Sequence, residues 1–109
     1  MPEDSEIRVV LVTVPGEEEG VKIARKVVEE KLGACANIVR NVRSIYSWKG
    51  QVCDDPEVLM VIKTTVHRFE ALKGRVRELH PYDVPEIIAL PVLAGWDPYL
   101  DWVRKETEG

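Results

Sequence analysis

The chain has 109 residues, 45% of them apolar, and carries a formal net charge of −4. That length is one domain's worth, enough to bury a single core of about two-thirds of the unfolded surface without disulfide or metal staples. The composition excludes a disordered chain, and the acidic balance disfavours nucleic acid, whose phosphates need a basic face. Aromatic residues make up only 6%, so aliphatic side chains must fill the core.

The two cysteines, Cys35 and Cys53, show neither C-x-x-C nor zinc-finger spacing, and free thiols in a reducing compartment are the expectation. The acidic start, Met1 to Glu6, is unlike a secretory leader, and no apolar run nears the roughly 20 residues that span a bilayer. A cytoplasmic location with no membrane partner is therefore expected. Gln51 is the only glutamine, and Asn37 and Asn41 the only asparagines, while Glu, Lys and Arg supply the polar surface. Ion pairs in place of heat-labile amides are a thermophile pattern. The chain should melt cooperatively above the ordinary range of about 45–65 °C; calorimetry that placed the transition inside that range would contradict this.

Ile7 to Val14 (IRVVLVTV) is short, β-branched and nearly all apolar, as in a strand covered on both faces. Pro15-Gly16 breaks it. Glu17, Glu18 and Glu19 suit a positive helix N-terminus. Val21, Ala24, Val28 and Leu32 then recur at helical spacing, with Ile23 and Val27 beside them, so a helix is predicted over 18–32, ended by Gly33 at the C′ position. Ala34 to Val39 is a short strand. Val42 to Trp48 continues extended, with Val42, Tyr46 and Trp48 on one face and Ile45 on the other. Lys49-Gly50 makes a tight turn, Val52 starts the return, and Val58 to Thr64 is a second apolar strand. A long hairpin should project from the body here.

Thr64 or Thr65 can cap a second helix whose core face is Phe69, Leu72, Val76 and Leu79, ending near His80 before Pro81. Gly74 inside it marks either an exposed weak point or a close approach. Ile87 to Val92 is a fourth strand, confined to an edge or ended by Pro91. Asp97-Pro98 can cap a last helix over 99–107.

The order β-α-β-β-α-β plus a helix is the ferredoxin-like split βαβ pattern, an α+β single domain over 1–109 with residues 1–6 expected to be flexible. Right-handed crossovers put both main helices on one face of the sheet. The other face is too apolar to meet water, and a symmetric partner is the natural cover.

The stretches VTVP (12–15), EEKLGACANIV (29–39), SIYSWKG (44–50), IKTT (62–65), HPYDVPEIIALPV (80–92) and YLDW (99–102) resemble the CutA divalent-cation-tolerance family, collinearly from Ile7 to Thr107. The resemblance implies a homotrimer in which each long hairpin extends a neighbour's sheet, tolerance of copper and other divalent cations, and no enzymatic reaction. It also implies a trimer outline similar to the PII signalling proteins, which bind small effectors between subunits. Some members carry a cysteine before the Thr-x-Pro turn and a second histidine before HPY; this chain has Val12 and Leu79 there, so of that ligand set only His80 matches.

Two candidate sites follow. His80, a neutral imidazole at a helix end, and Cys35, a thiol at a strand start, are the metal candidates, for copper or another divalent cation held without a tightly bound cofactor. The alternative for His80 is a helix-end histidine that hydrogen-bonds carbonyls, and for Cys35 a small buried hydrophobe. The second site is a small-metabolite cleft of Lys63, Tyr82, Glu86, Tyr46 and Trp48, apolar walls with a few polar tips. The alternative pairs Lys63 with Glu86 or another carboxylate as a partly buried ion pair and treats the aromatics as interface anchors. No phosphate loop, H-E-x-x-H or G-x-S-x-G pattern occurs, so no catalytic residue is predicted. A protein-anchoring role is a third possibility.

Overall fold

The computed structural model describes residues 6–108. Most of the segment expected to be flexible lies outside them; Glu6, at its end, is held, accepting a hydrogen bond from the Val66 N–H and an ion pair from Arg104. The elements are β1 (Ile7–Val14), α1 (Glu17–Glu29), β2 (Cys35–Trp48), β3 (Gln51–Thr65), α2 (Val66–Leu79), β4 (Ile87–Pro91) and α3 (Asp97–Glu106). The predicted order is found, as a mixed α+β fold around one four-stranded sheet. The sheet order is β2-β3-β1-β4, every neighbouring pair antiparallel.

Alternation along the strands sorts the residues to two faces. Val10, Val12 and Val14 of β1 join Val58, Met60 and Ile62 of β3 against Ile23, Val27, Leu72 and Val76 of the two main helices, all at most 7% exposed. On α1 the buried stripe is Gly20, Ile23 and Val27, whereas Val21 and Val28 stand about 40% exposed at 38% and 41%. Of the stripe that spacing suggested, Ala24 and Leu32 pack on the core with Ile23 and Val27, and Val21 and Val28 do not.

Three boundaries differ from expectation for physical reasons. The helix α1 stops at Glu29, because Lys31 takes the left-handed conformation (φ 61°) and closes a Schellman motif: Leu32 N–H bonds to Val27 O and Lys31 N–H to Val28 O. Gly33 is therefore not the helix stop. A Cβ on it would lie 2.8 Å from Ile62 and 2.9 Å from Val27, so its role is close approach of the chain to the core. The two segments predicted around residue 40 form one strand, β2. Arg40 and Asn41 together oppose only Val58, a bulge at which Asn41 adopts φ 63°. Helix α3 starts two residues before the expected 99: Trp96 is its N-cap and Asp97 its first residue. At α2, Thr65 stands at the N-cap position without a side-chain capping bond, and the Thr64 hydroxyl donates instead to Leu32 O.

The hairpin turn at Lys49-Gly50 has positive φ at both residues (51° and 79°), the type I′ geometry that matches strand twist. Strands of 14 and 15 residues, at about 3.3 Å per residue, account for the molecule's 43 Å long axis. Gly74 sits in open space, with nothing within 4 Å of an added Cβ. It is the exposed weak point, and Gly74→Ala should stabilise the fold by about 0.5–1 kcal/mol; chemical denaturation that shows no gain would contradict this.

Helix α3 packs on the opposite side of the sheet from α1 and α2. Ile7, Ala34 and Val103 form a second small core there, joined by Val92 and Leu100. It covers only one end. Beyond it the face carries Val9, Leu11 and Val61, with Val39, Ile88 and Leu90 exposed by 43%, 48% and 46%. In register, Asn37, Val61, Leu11 and Ile88 run side by side across all four strands.

Candidate functional site

The carboxyl end of β1, the hairpin and the segment after α2 enclose a concavity of about 770 Å³. Four of the five expected cleft residues line it: Tyr46 and Trp48 from β2, and Tyr82 and Glu86 from the loop before β4. Tyr46 and Trp48 share one side of the strand by alternation, and Arg43, Ser44 and Ile45 beside them line the concavity as well. Lys63 is elsewhere. It pairs with Val9 in the sheet, whereas Thr13 lines the concavity, four residues or about 13 Å further along β1. Its ammonium donates to the Asn37 side-chain oxygen on the open face, not to Glu86.

His80 explains how the loop is held. It is 7% exposed at the end of α2. Its Nδ1 accepts the Tyr82 backbone N–H at 3.1 Å, and Nε2 lies 2.7 Å from Thr13 O. A carbonyl can only accept, so Nε2 must carry the proton and donate. Both ring nitrogens are thereby committed, and the ring pins the loop to β1. The imidazole also lies 4.8 Å from the Tyr82 ring.

Cys35 sits at the far end of the sheet, paired with Lys63. Its Sγ is 3.6 Å from the Tyr99 hydroxyl of α3, and this contact, with burial second, pushes the Tyr99 phenol up to about 12. His80 and Cys35 are therefore not brought together. Among the described residues no group of three His, Cys, Asp or Glu side chains could hold a metal ion, so one chain does not by itself fit a resident metal. Cys35 and Cys53 are both free thiols, and Cys53 faces Tyr46 across the hairpin.

The signal that composition could not reveal is Glu57. It is 8% exposed, lines the concavity and accepts the Tyr82 O–H at 2.8 Å. Its place on β3 opposite Val42 follows from the register that the bulge sets, which sequence alone did not supply. Tyr46 donates likewise to Asp55 at 2.6 Å, which raises its phenol above the ordinary range. Arg43 grips Asp54 with two bonds of 2.9 and 2.7 Å, holding that carboxyl below its usual range.

Burial first, and the Glu57 carboxylate second, push the Tyr82 phenol from its ordinary 10 up to about 12. The folded chain therefore holds this proton more tightly than the unfolded one. The resulting stabilisation is complete below pH 10 and is lost as pH climbs through 12. Tyr82→Phe should flatten the fall in melting temperature between those values. Superimposable alkaline profiles for the two proteins would contradict it.

Residues 8–106 match the family model described as CutA1 divalent ion tolerance protein. The divalent-cation tolerance protein CutA of Thermus thermophilus is 56% identical over 99 residues, covering 91% of this chain and 96% of that one. The chloroplastic CutA of Arabidopsis thaliana is 50% identical over 91% of this chain, which spans only 54% of that longer protein. The solved structure of the Thermus thermophilus protein superposes with a TM-score of 0.92 at 54% identity, covering 94% of this chain and 99% of that one. Family model, sequence identity and three-dimensional superposition agree: this chain belongs to the CutA1 divalent ion tolerance family.

Proposed function

We propose that the chain serves divalent-cation tolerance as a cytoplasmic homotrimer that holds copper or a related cation weakly, with donors drawn from more than one copy. The observation that carries this reading is the open sheet face. Val39, Ile88 and Leu90 stand 43–48% exposed beside Val9, Leu11 and Val61, an apolar area that a monomer rarely leaves in water. A closed ring of copies around an axis would cover it, and the family resemblance supplies three as their number.

Weak binding follows from the donors. A tight site needs three or four ligands, Cys35 and His80 stand apart, and His80 has both nitrogens engaged. A cation that uses the Cys35 thiol must therefore find its remaining ligands on a neighbouring copy. The free thiols support a reducing compartment, and among the described residues no helix is long and apolar enough to cross a membrane.

Calorimetric titration with Cu(II) tests the metal part. Weak saturable heat that falls in Cys35→Ser and persists in His80→Ala is the expected result. A flat isotherm at millimolar copper would overturn copper binding, and loss of heat in His80→Ala alone would return the site to His80.

A second reading, a small-metabolite cleft like those of PII proteins, is favoured by the meeting of Tyr46, Trp48, Tyr82 and Glu86 in one concavity. Ligands that bind only the folded chain would raise its melting temperature. No shift across a metabolite panel at millimolar concentration would remove this reading.

A further inference from the structure

We infer that the concavity between the hairpin and the 80–86 loop selects an organic cation, an alkylammonium or guanidinium compound, rather than an anionic metabolite or a bare metal ion. The inference rests on the cleft reading above and names its ligand class.

The first ground is Glu57. Its carboxylate is 8% exposed. One oxygen accepts the Tyr82 hydroxyl, and no cationic side chain among the described residues pairs with it. A buried carboxylate without a countercharge is costly, and here it lines a cavity open to solvent. A cation entering that space supplies the missing charge.

The second ground is the balance of the lining. Glu57, Asp83 and Glu86 are acidic, while Arg43 is basic. Arg43 is already neutralised through the two bonds to Asp54. Among the lining residues an anion would thus meet carboxylates and no unpaired positive charge.

The third ground separates organic cations from metal ions. Within one chain the residues Tyr46, Trp48 and Tyr82 are each about 40% exposed, at 41%, 43% and 38%. The two phenol hydroxyls donate to Asp55 and Glu57, which fixes those two rings at the wall of the concavity. Ring faces attract cations with an apolar body. Lys49 rests its ammonium over the Trp48 ring at 5.8 Å, a contact that a ligand cation on that ring would replace. A hard metal ion instead needs several convergent oxygen ligands, and no such group of three occurs among the described residues. The volume of about 770 Å³ falls in the range of roughly 300–1,000 Å³ typical of small-molecule sites.

Titration calorimetry of the full chain at low ionic strength tests this, with agmatine as the probe and Mg²⁺ and glutamate as contrasts. Agmatine should bind saturably, Mg²⁺ at matched ionic strength should not displace it, and glutamate should give no heat. Glu57→Gln keeps an acceptor for Tyr82 and should weaken agmatine on the order of tenfold or more. Trp48→Ala, at the exposed end of the hairpin, should weaken it without altering the melt. Unchanged affinity in Glu57→Gln, or displacement by Mg²⁺, would overturn the inference. Glutamate binding without agmatine binding would overturn it while leaving the cleft in place. Silence from every probe in the inference panel and the metabolite panel would overturn both.

Discussion

Val61→Lys is expected to separate the proposed trimer into folded single chains. Val61 lies in the middle of the open face, paired with Leu11 on one side and Asn37 on the other. Within one chain it is only partly buried, so a lysine there can extend into water at little cost. Between copies the same ammonium would be trapped in an apolar seam. A buried charge without its partner costs about 3–5 kcal/mol, in each of three subunits. Sedimentation should therefore report a single-chain mass with native secondary structure by circular dichroism. A variant that sediments and melts like the parent would place the seam elsewhere.

Met60→Ala is expected to destabilise the chain itself, whatever its assembly. Met60 is fully buried, with Val12 and Ile38 as its neighbours across the sheet, and it belongs to the core closed by both main helices. Truncation removes its transfer energy and leaves a cavity, together about 2–5 kcal/mol. Stability is about 5–15 kcal/mol for a domain of this kind, so the loss is a large fraction of the total. Urea denaturation should show the midpoint falling with little change in slope. A loss under about 1 kcal/mol would mean that the core collapses around the gap. Comparing the two variants separates assembly from folding, because Val61→Lys should change mass and Met60→Ala should change stability.

Element order was legible because it rests on short-range patterns. The apolar run of β1, the 3.6-residue spacing of Leu72 and Val76, and the Lys49-Gly50 turn are each written locally. What escaped depends on chain neighbours that pattern does not reveal. Lys31 in place of Gly33 ends α1, because the Schellman bonds to Val27 and Val28 hold a non-glycine residue in the left-handed region. Val21 and Val28 look as buried as Ile23 and Val27 until the sheet fixes the rotation of the helix.

The same distinction governs the site. Tyr46, Trp48, Tyr82 and Glu86 were legible as polar-tipped residues in apolar surroundings. Lys63 was misplaced in that group because the side of a strand is readable from alternation but the position along it is not. Glu57 sits in the polar stretch CDDPE, where no local pattern marks a buried residue. Only the bulge at Asn41 and the Tyr82 hydroxyl make it a buried carboxylate.

A metal site with donors from more than one copy requires several copies to meet over the apolar side of the sheet. Multi-angle light scattering of the purified, unmodified chain at micromolar concentration measures this directly. The account predicts a particle of three 12.4 kDa chains that persists on dilution. A folded, stable particle with the mass of one chain would contradict it.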